Sequence, residues 1–190
     1  GPLPKDWTDR QEELQKKILK REREFNMTPV LTSFAGHIPA AFVKKYQGLK
    51  YTDVSYWGDY KDPEKYACKF LFATDPMFAK IQKAFIEEQT RMFGTDHIYG
   101  LDPFNEVDHP TLNPDSLGLL SKAIYESLAA ADKDAVWLQM AWTYKHMPYW
   151  TKERMKPLFR GVPQDKLIML DYWCENYEMW RRTESFFGQP

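Results

Sequence analysis

The sequence predicts an α/β fold, part of a (β/α)8 TIM barrel, and three observations carry that reading. Helix-period segments alternate with strand-length apolar runs along the 190 residues. The strand-like runs are short and continuously apolar, as in a parallel sheet covered by helices. The last three recur at about the spacing of one strand–helix unit. Four strands are expected, where a complete barrel needs eight and about 250 residues. A doubly wound open sheet is the alternative, but no glycine-rich phosphate loop follows any strand.

The elements follow in order. Residues 8–25 read as an amphipathic helix capped by Thr8 or Asp9, with Leu14, Ile18 and Phe25 on one face beside Trp7 or Gln11. Thr28 to Phe34 is an apolar run of strand length, ended by Ala35-Gly36-His37. Ile38 to Tyr46 suggests a short helix after Pro39, and Tyr51 to Tyr60 a loop or short hairpin. The clearest helix starts at Asp75 as cap with Pro76 in its first turn. It aligns Phe78, Ile81, Phe85 and Met92, and Gly94 closes it. His97 to Phe104 is the next strand, followed by a proline-containing loop over 107–114. Residues 115–131 form a helix with Leu117, Leu120, Ile124 and Leu128 inward. Ala135 to Trp142 is a strand, YKHMPYW a long loop, 151–160 a short helix ended by Gly161 and Pro163, and Leu167 to Tyr172 the last strand.

Composition excludes some function classes. With 43% hydrophobic and 28% charged residues the chain has a globular balance. A net charge of −1 offers no bulk attraction for nucleic acid or an anionic membrane surface. No apolar run reaches the roughly 20 residues that span a bilayer. GPLPKDW lacks the pattern of a signal peptide. The sequence opens on Gly1-Pro2 without an initiator Met and closes on Gln189-Pro190, so residues 1–190 are expected to be part of a single barrel domain, truncated at both ends. Such a piece alone, with open sheet edges, is expected to be inactive and poorly soluble. Cys68 and Cys174 read as two buried thiols, or as one partner of a cysteine elsewhere. Asn26-Met27-Thr28 fits the N-glycosylation pattern. Aromatic residues make up 16%, enough to furnish both a core and platforms for apolar sugar faces.

Two carboxylates stand directly after predicted strands: Glu106, preceded by Asn105, and Glu175. On a barrel those strand ends form the rim where active sites lie. A pair of carboxylates facing each other there suits glycoside hydrolysis, in which one protonates the leaving oxygen and the other attacks the anomeric carbon or activates water. An Asn beside the acid can hydrogen-bond the sugar 2-substituent. A strand-end Glu is also an ordinary solvated loop residue or helix cap. His97 at a strand start reads as structural, and His109 and His146 lack metal-ligand spacing, so no metal is expected.

Five segments resemble the alpha-N-acetylglucosaminidase family in order: MTPVLTSFAGHIP at 27–39, FGTDHIYGLDPFNE at 93–106, DAVWLQMAW at 134–142, LIMLDYWCE at 167–175 and RTESFFGQP at 182–190. The resemblance implies a retaining glycosidase with Glu106 as general acid/base and Glu175 as nucleophile. It places His37, Asn105, Trp142 and Trp57 near the sugar. His37 could instead satisfy backbone carbonyls, Trp57 and Trp142 could be core rings, and Cys174 reads as a packing residue. The resemblance also implies terminal alpha-linked N-acetylglucosamine as substrate, on glycans such as heparan sulfate, a lysosomal setting and no cofactor. It leaves a homo-oligomer of the full-length protein open. The chain departs from the family around 60–68, where only Cys68 stands in place of a close cysteine pair, and at Val107-Asp108-His109. The competing readings are a different retaining barrel glycosidase and a sugar-binding module without catalysis.

Overall fold

Proline and capping side chains set where the long helices begin. In the computed structural model, which describes residues 2–54, 68–105 and 113–189, helix α1 spans Lys5–Glu24, α2 Ala40–Lys45, α3 Pro76–Phe93 and α4 Pro114–Ala131. The carboxylate of Asp75 accepts from Met77 N at 2.8 Å and the amide oxygen of Asn113 from Ser116 N at 2.8 Å, each satisfying a first-turn donor beside a proline that has none. Shorter helices follow at Trp142–His146 (α5), Lys152–Arg160 (α6) and Met179–Arg182 (α7).

The parallel sheet is made of β1 (Leu31–Thr32), β5 (Ile98–Gly100), β6 (Val136–Met140) and β7 (Leu167–Leu170), side by side in that order. Register pairs Leu31 with Tyr99, Tyr99 with Trp137 and Trp137 with Leu167. Neighbouring strands are joined by helices, the repeating unit of a barrel wall. Trp137, Gln139, Leu167 and Met169 are buried, while the residues alternating with them are half-buried or exposed. The strands are thus covered fully on one face, in keeping with a sheet whose helices pack on its outer side.

A second, antiparallel sheet lies in the chain between β1 and α3: β2 (His37–Pro39), β4 (Cys68–Leu71) and β3 (Tyr51–Asp53), in that spatial order. Sequence reading offered a hairpin in only part of this region. Gly36 makes the junction possible. Its φ of +105° suits glycine, its carbonyl accepts from Leu71 N at 2.8 Å, and a Cβ there would lie 2.9 Å from the Phe70 ring.

The core runs under the parallel sheet. Leu117, Leu120, Ile124 and Leu128 of α4 are all buried as expected, and α4 packs against both α3 and α6. Gly118 faces the Pro157 carbonyl, 3.2 Å from where its Cβ would sit, so the two helix backbones approach closely. Helix α1 corrects the sequence reading. Leu19 is its buried residue, at 2% exposure, whereas Leu14, Ile18, Trp7 and Phe25 point outward. The inward face is largely polar, and Arg23 holds Asp96 through Nε at 3.1 Å. In α3 burial centres on Phe78, Gln82 and Ile86, leaving Phe85 exposed. Glu184–Gly188, flagged only as a motif, is a left-handed turn with φ between 50° and 58° at Glu184 through Phe187. Thr183 caps it, its hydroxyl accepting from Phe186 N at 3.0 Å. Both cysteines are free thiols: Cys68 is half-buried and packs against the core, whereas Cys174 is exposed and so is not the packing residue expected.

Candidate active site

The loops leaving the C-terminal ends of the four parallel strands all lie on one rim, and they carry the candidate residues. The β1 loop brings His37, and Ser33 ends the strand, its amide donating to Gly100 O at 3.1 Å. The β5 loop carries Asp102 and Asn105. Thr32, Ser33, Ala35, His37, Gly100, Asp102 and Asn105 line one cleft of about 460 Å³. His37 and Asn105, proposed separately from sequence, therefore share a cavity. The His37 ring stands edge-on to Phe70 at 5.5 Å, and desolvation by its surroundings lowers its pKa although its outer edge is exposed. Ser33 Oγ is buried in the cleft wall with no hydrogen-bond partner among the described residues.

Asp102 holds this rim together. Its Oδ1 accepts from Met140 N at 2.9 Å and Gln139 Nε2 at 2.7 Å, tying the β5 loop to the end of β6. Burial raises its pKa, and the Met140 amide opposes that shift. Sequence reading missed Asp102; its place after a strand, three residues before Asn105, was the available signal. A second link runs from Thr143 Oγ1, which donates to Asn105 Oδ1 at 3.2 Å. With its oxygen engaged, Asn105 has its amide N–H groups to offer a ligand.

Trp142, expected at a strand end, opens helix α5. It is half-buried in an aromatic cluster that joins the β6 and β7 loops, with centroids 3.7 Å from His146, 5.7 Å from Tyr172 and 5.9 Å from Trp173. Glu175 sits exposed in the turn after β7, in which Asn176 N and Tyr177 N both donate to Trp173 O, at 3.0 and 3.1 Å. Trp173 adopts φ 66° there, an uncommon conformation for a tryptophan. Glu106 follows Asn105 directly in the chain but lies, like Trp57, outside the described residues.

The opposite ends of the strands carry a separate cluster. His97 Nδ1 lies 2.8 Å from Asp132 Oδ2, and Tyr99 Oη donates to the same oxygen at 2.7 Å. Burial would raise the Asp132 pKa, but hydrogen bonds from Tyr99 and His97 hold it below the usual carboxylate range; burial drives the Tyr99 phenol up to about 12. His97, Asp132 and Asp134 could offer a cation three ligand atoms within 4.8 Å of one another. The first two already serve one another as a clasp between β5 and β6, the structural role expected of His97. No helix among the described residues is long and apolar enough to cross a membrane.

Sequential parallel strands with functional loops gathered at their C-terminal ends define part of a TIM-barrel domain. The family model described as Alpha-N-acetylglucosaminidase (NAGLU) tim-barrel domain matches residues 1–190, and the chain belongs to that family. It is 40% identical over 192 residues to Alpha-N-acetylglucosaminidase of Homo sapiens, covering all of this chain and 26% of that protein. Among solved structures it is similar to the Family 89 Glycoside Hydrolase from Clostridium perfringens in complex with 2-acetamido-1,2-dideoxynojirmycin, with TM-score 0.78, 28% identity, and 97% of this chain and 20% of that one covered. CpGH89 from the same organism, in complex with its substrate GlcNAc-alpha-1,4-galactose, gives TM-score 0.75 and 26% identity at the same coverage. The chain thus spans about a quarter or less of the relatives it matches.

Proposed function

We propose that residues 1–190 are part of the catalytic barrel of a retaining glycosidase that removes terminal alpha-linked N-acetylglucosamine. Family membership supports the sugar and the chemistry. The observation that carries the reading is the continuous rim. His37, Asp102 and Asn105 line one cleft, Asn105 is bonded to Thr143, and Trp142 leads through Trp173 to the turn bearing Glu175. Glu106 is the next residue after Asn105, so both carboxylates belong to this chain of contacts or adjoin it in sequence.

In this reading the terminal sugar occupies the cleft beside β1 and β5. Asn105 donates its amide N–H to the 2-substituent, and His37, which lines the same cleft, offers a further hydrogen bond. Trp142 and Trp57 supply apolar contact to the sugar. Glu106 protonates the glycosidic oxygen while Glu175 attacks the anomeric carbon, forming a glycosyl-enzyme. Glu106 then takes a proton from water, which releases the sugar with its configuration retained. This chemistry needs no metal or organic cofactor. Heparan sulfate type glycans and the lysosome are proposed on the family resemblance. Exposed Asn26, at the end of α1, is the proposed glycan acceptor.

The test is turnover of a chromogenic alpha-N-acetylglucosaminide by the full-length protein. Glu106→Gln and Glu175→Gln should each reduce kcat by about a thousandfold or more with folding retained. A folded wild type that binds the sugar without turnover would favour the sugar-binding module. Turnover confined to another glycoside would favour a different barrel glycosidase.

A further inference from the structure

Lys145 is held unusually for a lysine on a site rim. Its Nζ lies 3.6 Å from the centroid of Trp173, 4.8 Å from Tyr177 and 5.7 Å from Trp142. Trp173 and Tyr177 are the two ends of the turn that presents Glu175. Among the described residues no carboxylate pairs with Lys145 within 4.0 Å, whereas Arg181 pairs with Glu178 at 3.1 Å. Arg182 donates to the neutral Tyr177 Oη at 2.7 Å, which leaves its charge unpaired among them as well. The aromatic cradle fixes the ammonium but supplies no counter-anion. A cation ordered in advance, half-buried and beside an open surface, is suited to an anionic ligand group, because little side-chain entropy remains to be lost on binding.

Resting on the glycosidase reading, we propose that Lys145 is a specificity residue that receives a carboxylate or sulfate on the sugar next to the one released. N-acetylglucosamine itself is neutral, so charge on the substrate belongs to the leaving-group side. The cleft assigned to the terminal sugar lies at β1 and β5, and Lys145 lies beyond Trp142, toward β7. Trp173, 41% exposed under Lys145, and Tyr172, 50% exposed against Trp142, offer the neighbouring sugar an apolar surface. Arg182, bonded to the Tyr177 hydroxyl, adds to the positive field there.

The test compares wild type, Lys145→Met and Lys145→Arg in the full-length protein. The substrates are the neutral 4-nitrophenyl alpha-N-acetylglucosaminide and two disaccharides, one with alpha-N-acetylglucosamine on a uronate and one with it on a sulfated hexose. Lys145→Met should lower the ratio of kcat/KM for a charged substrate to that for the neutral one by about tenfold, through KM, and Lys145→Arg should largely restore it. The disaccharide whose ratio falls more identifies the anion. The wild-type ratio should also decline with added salt, and the Met variant's should not. An unchanged ratio, or an equal loss on all three substrates carried in kcat, overturns the proposal, since either outcome makes Lys145 a brace for the Glu175 turn. If wild type turns over no substrate, the glycosidase reading fails separately. Calorimetric binding of the two disaccharides to wild type and Lys145→Met then decides the role of Lys145, and equal affinities overturn it.

Discussion

Asp102 is where removing a few atoms should disturb the rim most. Asp102→Ala deletes two hydrogen bonds between the β5 loop and β6, to Met140 N at 2.9 Å and Gln139 Nε2 at 2.7 Å. Bonds to a charged acceptor contribute roughly 1.5–3 kcal/mol each, and an orphaned buried donor costs about 1–3 kcal/mol. Gln139 is 2% exposed, so water cannot readily replace its lost partner. A second amide bond, to the Met140 carbonyl at 3.0 Å, survives and moderates the loss. The net expectation is about 3 kcal/mol. For a barrel of roughly 250 residues, calorimetry should read that as a fall in Tm of about 6–12 °C in the full-length protein. Asp102→Asn retains an acceptor oxygen for both donors and removes the burial penalty that raises the Asp102 pKa. It should therefore lie within about 1 kcal/mol of wild type. Activity should follow the same order. Asn105 sits three residues along this loop, and a shift of about 1 Å in a catalytic constellation can cost about a hundredfold. An Ala variant as stable as wild type, or an Asn variant as damaged as Ala, would refute the role given to these bonds.

Other expectations follow from packing and titration. Gly161→Ala should destabilise by about 2–3 kcal/mol, because its Cβ would run into Ser121 Oγ and the Gly118 carbonyl, and the backbone cannot give way cheaply; an urea midpoint equal to wild type would contradict this. His37 should titrate below the usual value of about 6.5, since burial disfavours its charged form. The unfolded chain then binds more protons between the two values, so this contribution is present above pH about 6.5 and lost as pH falls toward the folded pKa. An NMR titration that places His37 at or above the usual value would contradict it.

The parts legible in the sequence are those fixed by local chemistry. Asp75-Pro76 and Asn113-Pro114 announce helices because a capping oxygen and a missing donor act within one turn. The four parallel strands were visible as apolar runs between helices, and their ends located Asn105 and Glu175 on one rim. Other features depend on distant partners. The antiparallel sheet uses strands of three or four residues, among them His37, Lys69 and Asp53, with no period long enough to detect. Helix α1 has an apolar stripe through Leu14 and Ile18, but it is the Leu19 and Arg23 side that meets the neighbouring elements. Trp142 reads as the end of an apolar strand; its helical conformation comes with the contacts to His146, Tyr172 and Trp173. Asp102 resembles any loop aspartate until Gln139 and Met140 are brought beside it. The cradle of Lys145 joins residues from two loops more than twenty positions apart, which periodicity cannot reveal.

The division of labour between the two carboxylates is tested most directly by trapping the full-length protein with a fluorinated alpha-N-acetylglucosaminyl donor, which slows breakdown of the glycosyl-enzyme. Peptide mass spectrometry should then find the sugar on Glu175, in the peptide running through Trp173 and Tyr177, and no label in the Glu175→Gln variant. Label on any other residue, or rapid turnover with inversion at the anomeric carbon and no trapped species, would contradict the assignment.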